Sequence, residues 1–270
     1  MITLSIVIPT YKNDFLTERV LKSLSEIIIP KSVIDVVVVE NGPIQNIEAI
    51  CKKYARLLPL KYVYSDKTGS SFARNSGVVN SVGDVIIFFD NDIKFNQDTL
   101  VHYDDVIQKR GINYFYGGPV LADYEVPPPS WLLEFLPWSA KGHSLGDEVK
   151  EIDKALFLGG NHAVPKKAFS EVGGYDDMCA TGDLGLAGEE IRLQQRLLKK
   201  GYKGVYVPNA VVHHWVPSNR CDLKWTITRQ YRAGLTEGTL LHLKLPVKFC
   251  SILGVPCYIV KDYMKALFVY

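Results

Sequence analysis

Four consecutive valines, Val36 to Val39, constrain this chain more than any other feature. β-branched residues favour extended backbone, and a run with no polar member leaves no face for water. The segment therefore reads as a strand buried on both sides of a parallel sheet. Ile6-Val7-Ile8, stopped by Pro9, and Val85 to Phe89 have the same character, and a further strand lies near Tyr62-Val63-Tyr64. Helical patterns separate them. Asn13 or Asp14 caps a helix whose apolar stripe is Leu16, Val20, Leu21 and Leu24. Ile47 to Leu57 reads as a second helix, and Gly69-Ser70-Ser71 opens a third. The order is βαβαβαβ, the pattern of a doubly wound α/β sheet with right-handed crossovers.

In such a sheet the ligand lies beyond the carboxyl ends of the strands, where the connection reverses. The residues following the strands are Pro9-Thr10-Tyr11, Glu40-Asn41-Gly42, Asp66 and Asp90-Asn91-Asp92. They are polar, acidic or turn-forming, and the topology gathers them on one edge. The later chain is less regular. Pro127-Pro128-Pro129-Ser130-Trp131 reads as an ordered loop. A helix starts at Glu189 and runs through Leu193, Leu197 and Leu198 to the stop signal Lys199-Lys200-Gly201. Val205-Tyr206-Val207 and Ala210-Val211-Val212 read as short strands bent at Pro208. With no repeat, low-complexity tract or linker, one compact unit is the simplest account.

Composition excludes several classes. The formal net charge is +2 with both signs interspersed, unlike the concentrated basic stripe of a nucleic-acid groove. The 5 cysteines (Cys51, Cys179, Cys221, Cys250 and Cys257) form no CxxC pair, which argues against a disulfide framework or a structural zinc and fits a reducing cytosol. Cys179 or Cys221 could act as a nucleophile, but small buried hydrophobe is the better reading. The start lacks the pattern of a signal peptide, and no stretch reaches the roughly 18–20 apolar residues that span a bilayer. The apolar segment Phe249 to Val260 is flanked by Lys244, Lys248, Lys261 and Lys265. It reads equally well as a segment on the inner membrane surface and as one packed on the domain.

Two carboxylates two residues apart after a buried strand repel one another. A divalent cation carrying a diphosphate relieves that repulsion, because Mg²⁺ or Mn²⁺ takes hard oxygen ligands. Alternatively Asp90 and Asp92 only end the strand in a turn.

The motifs around the triplet favour the cation. Ser5-Ile6-Val7-Ile8-Pro9-Thr10-Tyr11 resembles the opening strand of the family 2 glycosyltransferases. Gly69, Ala73-Arg74-Asn75 and Gly77 are similar to that family's nucleotide-contacting helix start, and Phe88-Phe89-Asp90-Asn91-Asp92 to its DxD motif. The resemblance continues through Gly159-Gly160-Asn161, Phe169, Val172-Gly173-Gly174-Tyr175-Asp176 and Gly188-Glu189-Glu190. It ends with Pro208, Ala210, Val212, His214 and Val216-Pro217 followed by Arg220.

The resemblance implies a GT-A fold, a Rossmann-like nucleotide-binding sheet continuous with a smaller acceptor-binding part. It implies an inverting glycosyltransferase that moves a sugar from a nucleotide diphosphate-sugar, a UDP-sugar first among candidates, to a glycan or lipid-linked hydroxyl. Residues 1–100 would hold the donor, 101–220 the acceptor and the catalytic groups, and 221–270 would be a helical C-terminal segment. Pro9, Thr10, Tyr11 and Glu40 would line the base and ribose pocket, with Glu40 where the family usually has Asp. Asp66, Gly69, Arg74, Asn91, Gly160 and Asn161 would complete the donor site. Asp90 would meet the ribose or metal-bound water, Asp92 and His214 would ligate Mn²⁺ or Mg²⁺, and Arg220 would approach the diphosphate. For Arg74 the alternative is a helix-surface residue paired with Asp66. Glu190 matches the family's catalytic base, with Glu189 beside it; helix capping is the plainer role for both. Trp131 and Trp138 would stack on the acceptor sugar or pin their loop.

Other classes fit less well. A sugar nucleotidyltransferase would place a Gly-rich basic loop after the first strand, and Pro9-Thr10-Tyr11-Lys12-Asn13 is not one. A nicotinamide dehydrogenase would show GxGxxG. A non-catalytic glycan-binding relative would have lost the carboxylates, and a processive synthase would carry QxxRW where this chain has Gln230-Tyr231-Arg232.

Overall fold

The computed structural model describes residues 1–176 and 188–242, and the paired strands Ser251–Ile252 and Val255–Pro256. Cys179, Cys250, Cys257 and most of the apolar C-terminal segment lie outside the described residues.

The first third folds as its pattern demands. Strand β1 (Leu4–Thr10) leads into helix α1 (Asp14–Ser25), β2 (Val33–Asn41), α2 (Ile47–Tyr54), β3 (Leu60–Ser65), α3 (Ser70–Asn80) and β4 (Val85–Phe89). Asn13 is the cap of α1, its side chain accepting the Leu16 N–H at 3.0 Å. The second helix ends at Tyr54, and the carbonyl of Tyr54 accepts the N–H groups of Leu57 and Leu58 in a closing turn.

The next elements are β5 (Ile93–Phe95), α4 (Thr99–Arg110), β6 (Tyr114–Gly117), β7 (Val120–Tyr124), α5 (Ser130–Leu133), α6 (Trp138–Lys141) and β8 (Lys150–Ile152). After β9 (Asn161–Pro165) and α7 (Lys166–Glu171) come α8 (Glu189–Lys199), β10 (Lys203–Tyr206), β11 (Val212–Val216) and α9 (Leu223–His242). Between β4 and α8 the chain thus supplies five strands, β5 to β9, each too short to stand out in the sequence pattern. Trp131 stands in a short helix, because the prolines that forbid a helix end at Pro129.

The main sheet has eight strands in the order β3-β2-β1-β4-β9-β6-β10-β8. β1, β2, β3 and β4 are parallel, and β9 enters antiparallel between β4 and β6. A second sheet has the order β5-β11-β7. Val205-Tyr206 and Val212 thus fall in two short strands, but in different sheets: β10 belongs to the main sheet and β11 to the small one, with Pro208 in the turn between them.

Strand alternation divides the core. Ile6, Ile8, Val36, Val38, Ile87 and Phe89 face α1, α2 and α4, whereas Val7, Val37, Val39, Ile86 and Phe88 face α3, α7 and α8. Both faces are covered, which is why the valine run needs no polar member. Helix α3 sits so close to β1 that a Cβ on Gly77 would lie 2.3 Å from Val7 Cγ1. The connection reverses between β1 and β4, and this switch point positions the site.

Candidate active site

A cleft of about 760 Å³ opens where β1 and β4 part. Pro9, Thr10 and Tyr11 from the end of β1 and Asp90, Asn91 and Asp92 from the end of β4 line it together. The Asn91 amide donates to Thr10 Oγ1 at 3.1 Å and joins the two strand ends. Tyr11 lies across Gly42, where a Cβ would meet its ring at 2.5 Å; with φ at +101°, that position suits only glycine.

Arg74 organises the floor. It projects from α3, and its side chain is only 6% exposed. Nη2 donates to Asp90 Oδ1 at 2.6 Å, and Nη1 to Glu189 Oε1 at 2.9 Å. Its partners are therefore these two carboxylates and not Asp66, which is exposed at the end of edge strand β3, two strands from the switch point. Burial alone would favour a neutral guanidinium, but Asp90 and the neighbouring acids outweigh it and raise the Arg74 pKa. Ser70 Oγ also donates to Glu189 Oε1, at 2.8 Å.

The two adjacent glutamates are thereby made unequal. Burial pushes both towards neutrality, yet the Arg74 charge and the hydrogen bonds to Glu189 bring its pKa below the ordinary value. Glu190 has no ion pair among the described residues. Burial, and then the Glu189 charge, push it up to about 7. Gly188 (φ +94°) starts the helix, and Gly159 leaves room for the arginine, since a Cβ there would be 3.3 Å from Arg74 Nη2.

On the opposite wall His214 Nε2 lies 3.1 Å from Asp92 Oδ2. Burial disfavours the charge on both groups, but their hydrogen bond prevails, lowering the Asp92 pKa and raising that of His214. Asp92 Oδ1 is buried with no hydrogen-bond partner. An orphaned carboxylate oxygen beside an imidazole fits a divalent cation that takes its other ligands from phosphate. No group of three or more His, Cys, Asp or Glu side chains among the described residues could enclose a metal alone. Asp92 and His214 could supply two ligands, and a substrate would complete the set. Asp90 is committed to Arg74, and burial raises its pKa despite that charge.

Gly69, Gly160 and Arg220 also line the cleft. Five expected donor or acceptor residues, the exposed Asp66 among them, do so only indirectly or not at all. Glu40 is fully buried behind it, Oε1 accepting the Gln45 N–H and Oε2 the Tyr62 hydroxyl, each at 2.6 Å. Asn161 is buried with its amide on the Pro119 and Ala210 carbonyls and its oxygen on Tyr103. Trp131 and Trp138 stand on the surface, and Trp138 stacks on His143 at 4.3 Å. Of the cysteines, Cys51 and Cys221 are buried. Burial raises the pKa of each, Cys51 to about 12, so neither is an activated nucleophile.

Ser139 and Arg229, which no motif marks, also line the cleft, beside Asn41 from the end of β2 and Ser70 from the start of α3. Arg229 comes from α9, whose polar and apolar residues give no hint of a ligand. Beneath Arg74, Tyr175 places its ring 5.4 Å from the guanidinium and shares a 2.7 Å hydrogen bond with His162 Nε2. Asn75 exchanges two hydrogen bonds with the Tyr175 backbone, which gives the Asn-next-to-Arg pattern a reason.

The model of the family described as "Glycosyl transferase family 2" matches residues 5–173. The succinoglycan biosynthesis protein ExoM of Rhizobium meliloti is 29% identical over 247 residues, covering 87% of this chain and 74% of its own. The glucosyl-dolichyl phosphate glucuronosyltransferase of Haloferax volcanii is 22% identical over 241 residues, 86% of this chain and 75% of its own. Among solved structures, GalNAc-T7 with UDP, GalNAc and Mn²⁺ superposes with a TM-score of 0.61 at 17% identity. The match covers 80% of this chain and 44% of that one, so this chain spans less than half the length of that enzyme.

Proposed function

The chain belongs to glycosyl transferase family 2 and has the GT-A fold, and from that premise we propose that it transfers a sugar, with inversion, from a nucleotide diphosphate-sugar to a hydroxyl of a glycan or lipid-linked acceptor. One observation carries this reading. Arg74 joins Asp90 of the Asp90-Asn91-Asp92 triplet to Glu189 of the Glu189-Glu190 pair, about a hundred residues apart, in one cleft, and leaves Glu190 without an ion pair among the described residues.

The nucleotide lies against Pro9, Thr10 and Tyr11, with Tyr11 offering an exposed ring over Gly42. Glu40 is spent on Gln45 and Tyr62, so it shapes the pocket from behind, and Asn41 offers the polar group at that strand end. Asp92 and His214 would hold the divalent cation, for which GalNAc-T7, solved with UDP, GalNAc and Mn²⁺, is an analogy. When bound, such a cation neutralises the departing diphosphate. Arg220 adds positive charge on the same wall, where the leaving group gains negative charge. Glu190 takes the proton from the acceptor hydroxyl as its oxygen attacks the anomeric carbon, and the nucleoside diphosphate leaves from the opposite face. A base of this kind contributes about 10²–10⁴-fold. Residues 1–100 supply the donor wall, and 101–220 supply the base, the histidine and the acceptor side.

Release of nucleoside diphosphate from a panel of nucleotide-sugars, with Mn²⁺ or with EDTA, tests this reading. Turnover with at least one donor, lost with EDTA and restored by Mn²⁺, is expected. Failure of every donor to bind or react would overturn it.

A further inference from the structure

Helix α9 has two different sides. Its inner side, with Thr226 buried, Trp225 packed beside Val216 and Cys221, and Arg229 in the cleft, faces the protein. Its outer side carries Leu223, Ile227 and Tyr231 at i, i+4 and i+8, which are 50%, 59% and 66% exposed. The Gln230 side chain donates to the Phe135 carbonyl at 3.3 Å and ties this stripe to α5 and α6. There Trp131, Phe135 and Trp138 are also about half exposed. Together the six exposed side chains make an apolar, aromatic-rich surface on segments that also reach the cleft, α6 through Ser139 and α9 through Arg229.

We propose that this surface is where the protein rests on a lipid bilayer with anionic headgroups, so that the acceptor reaches the cleft from the membrane. The inference deepens the proposed transfer reaction and rests on it for the use of the cleft. Charge complementarity favours a bilayer over a protein partner. Lys224 and Arg232 run along one edge of the stripe and Lys141 ends α6, against a single acid, Glu134, in the segments 131–141 and 223–234. The neighbouring Asp222 accepts the Trp225 N–H at 2.7 Å as the cap of α9. Tryptophan and tyrosine beside lysine and arginine, on a helix lying flat, match the headgroup boundary, where rings meet acyl chains and cations meet phosphate. No helix among the described residues is long and apolar enough to cross a membrane, so contact through this face would be lateral.

Flotation of the full chain with phosphatidylcholine vesicles, with and without phosphatidylglycerol, tests the assignment. The wild type should float with the anionic vesicles and be released by high salt. A double substitution, Ile227→Glu with Tyr231→Glu, should lower that partitioning about tenfold or more. Both side chains are exposed and line no part of the cleft, so nucleotide-sugar hydrolysis in solution should be unchanged in the variant. Absence of wild-type flotation would overturn the proposal. So would equal flotation of the variant, which would place the contact in residues 243–270 or elsewhere. A wild-type dimer that the substitutions dissociate without any effect on flotation would assign the stripe to a second copy and overturn it too. Flotation that behaves as expected with no donor turnover would leave the surface standing and sink the transfer reaction alone.

Discussion

Arg74 Nη1 donates to Glu189 Oε1 at 2.9 Å, and by doing so it separates the chemistry of two adjacent glutamates. Glu189 becomes a fixed counter-charge, while Glu190, one residue further along α8, keeps a basic carboxylate. In Asp90-Asn91-Asp92 the same guanidinium engages Asp90, and Asp92 turns to His214.

The pH profile should report this separation. Glu190 must be deprotonated to act, so kcat/KM should rise with pH and level off above about 7. Glu190→Gln should remove that limb and lower transfer about 10²–10⁴-fold while leaving donor binding intact. Glu189→Gln removes the adjacent negative charge and frees Arg74, so its limb should move to lower pH. Initial rates across pH 5 to 9 for the three proteins are the measurement; an unmoved limb in both variants would exclude Glu190 as the base.

Loss of Arg74 should be costly for stability as well as activity. Arg74→Leu leaves Asp90 and Glu189 without their buried cation and is expected to destabilise by about 3 kcal/mol, in the range for breaking such a pair. Arg74→Lys keeps the charge but not the two-armed fork and should recover only part of that. Urea denaturation midpoints at constant slope would read both.

The metal assignment is tested by titration. Asp92→Asn and His214→Gln should each raise the Mn²⁺ concentration for half-maximal activity about tenfold or more. Calorimetric titration of Mn²⁺ in the presence of nucleoside diphosphate should show the same loss. An unchanged Mn²⁺ dependence in both variants would remove these residues from the ligand set.

Gly160→Ala should act locally. The added Cβ would lie 3.0 Å from Asp90 Oδ2, so the carboxylate must shift while the surrounding core does not. The donor KM should increase severalfold with a stability change under about 1 kcal/mol. A normal KM would show that Asp90 does not touch the donor.

Buried His162 should make the fold sensitive to acid. Burial, with Arg74 nearby, depresses its pKa to about 3 from an ordinary 6.5. Below pH 6.5 the unfolded chain takes up a proton that the folded one refuses, so stability falls as pH falls from 6.5 towards 3. Tyr175→Phe removes the hydroxyl from His162 Nε2 and should cost about 1–3 kcal/mol at neutral pH. Thermal melts at pH 7 and pH 5 for the wild type and the variant would check both effects.

Much of the fold was legible along the chain because it rests on local signals. Val36–Val39 and Val85–Phe89 have no polar face and can only be interior strands; Asn13 caps α1 and Gly69 opens α3 by backbone chemistry that needs no distant partner. The antiparallel entry of β9 and the short strands of the small sheet were not legible. They are brief, and they are held by pairing to strands far away in sequence. Arg229 in the cleft escaped for the same reason, and so did the place of the motif residue Tyr175 beneath Arg74.

The sequence by itself therefore determined the alternating first third, its polar strand ends and the ordered motifs that mark the family. Only the tertiary structure decided which of those polar residues meet. It buried Glu40 and Asn161 in hydrogen bonds of their own and left Asp66 on an edge strand. It brought the Asp90 and Glu189 carboxylates onto one arginine. The reason is physical: residue type and spacing set what a side chain can do, but its charge state and availability depend on burial and on neighbours, which long-range pairing alone supplies.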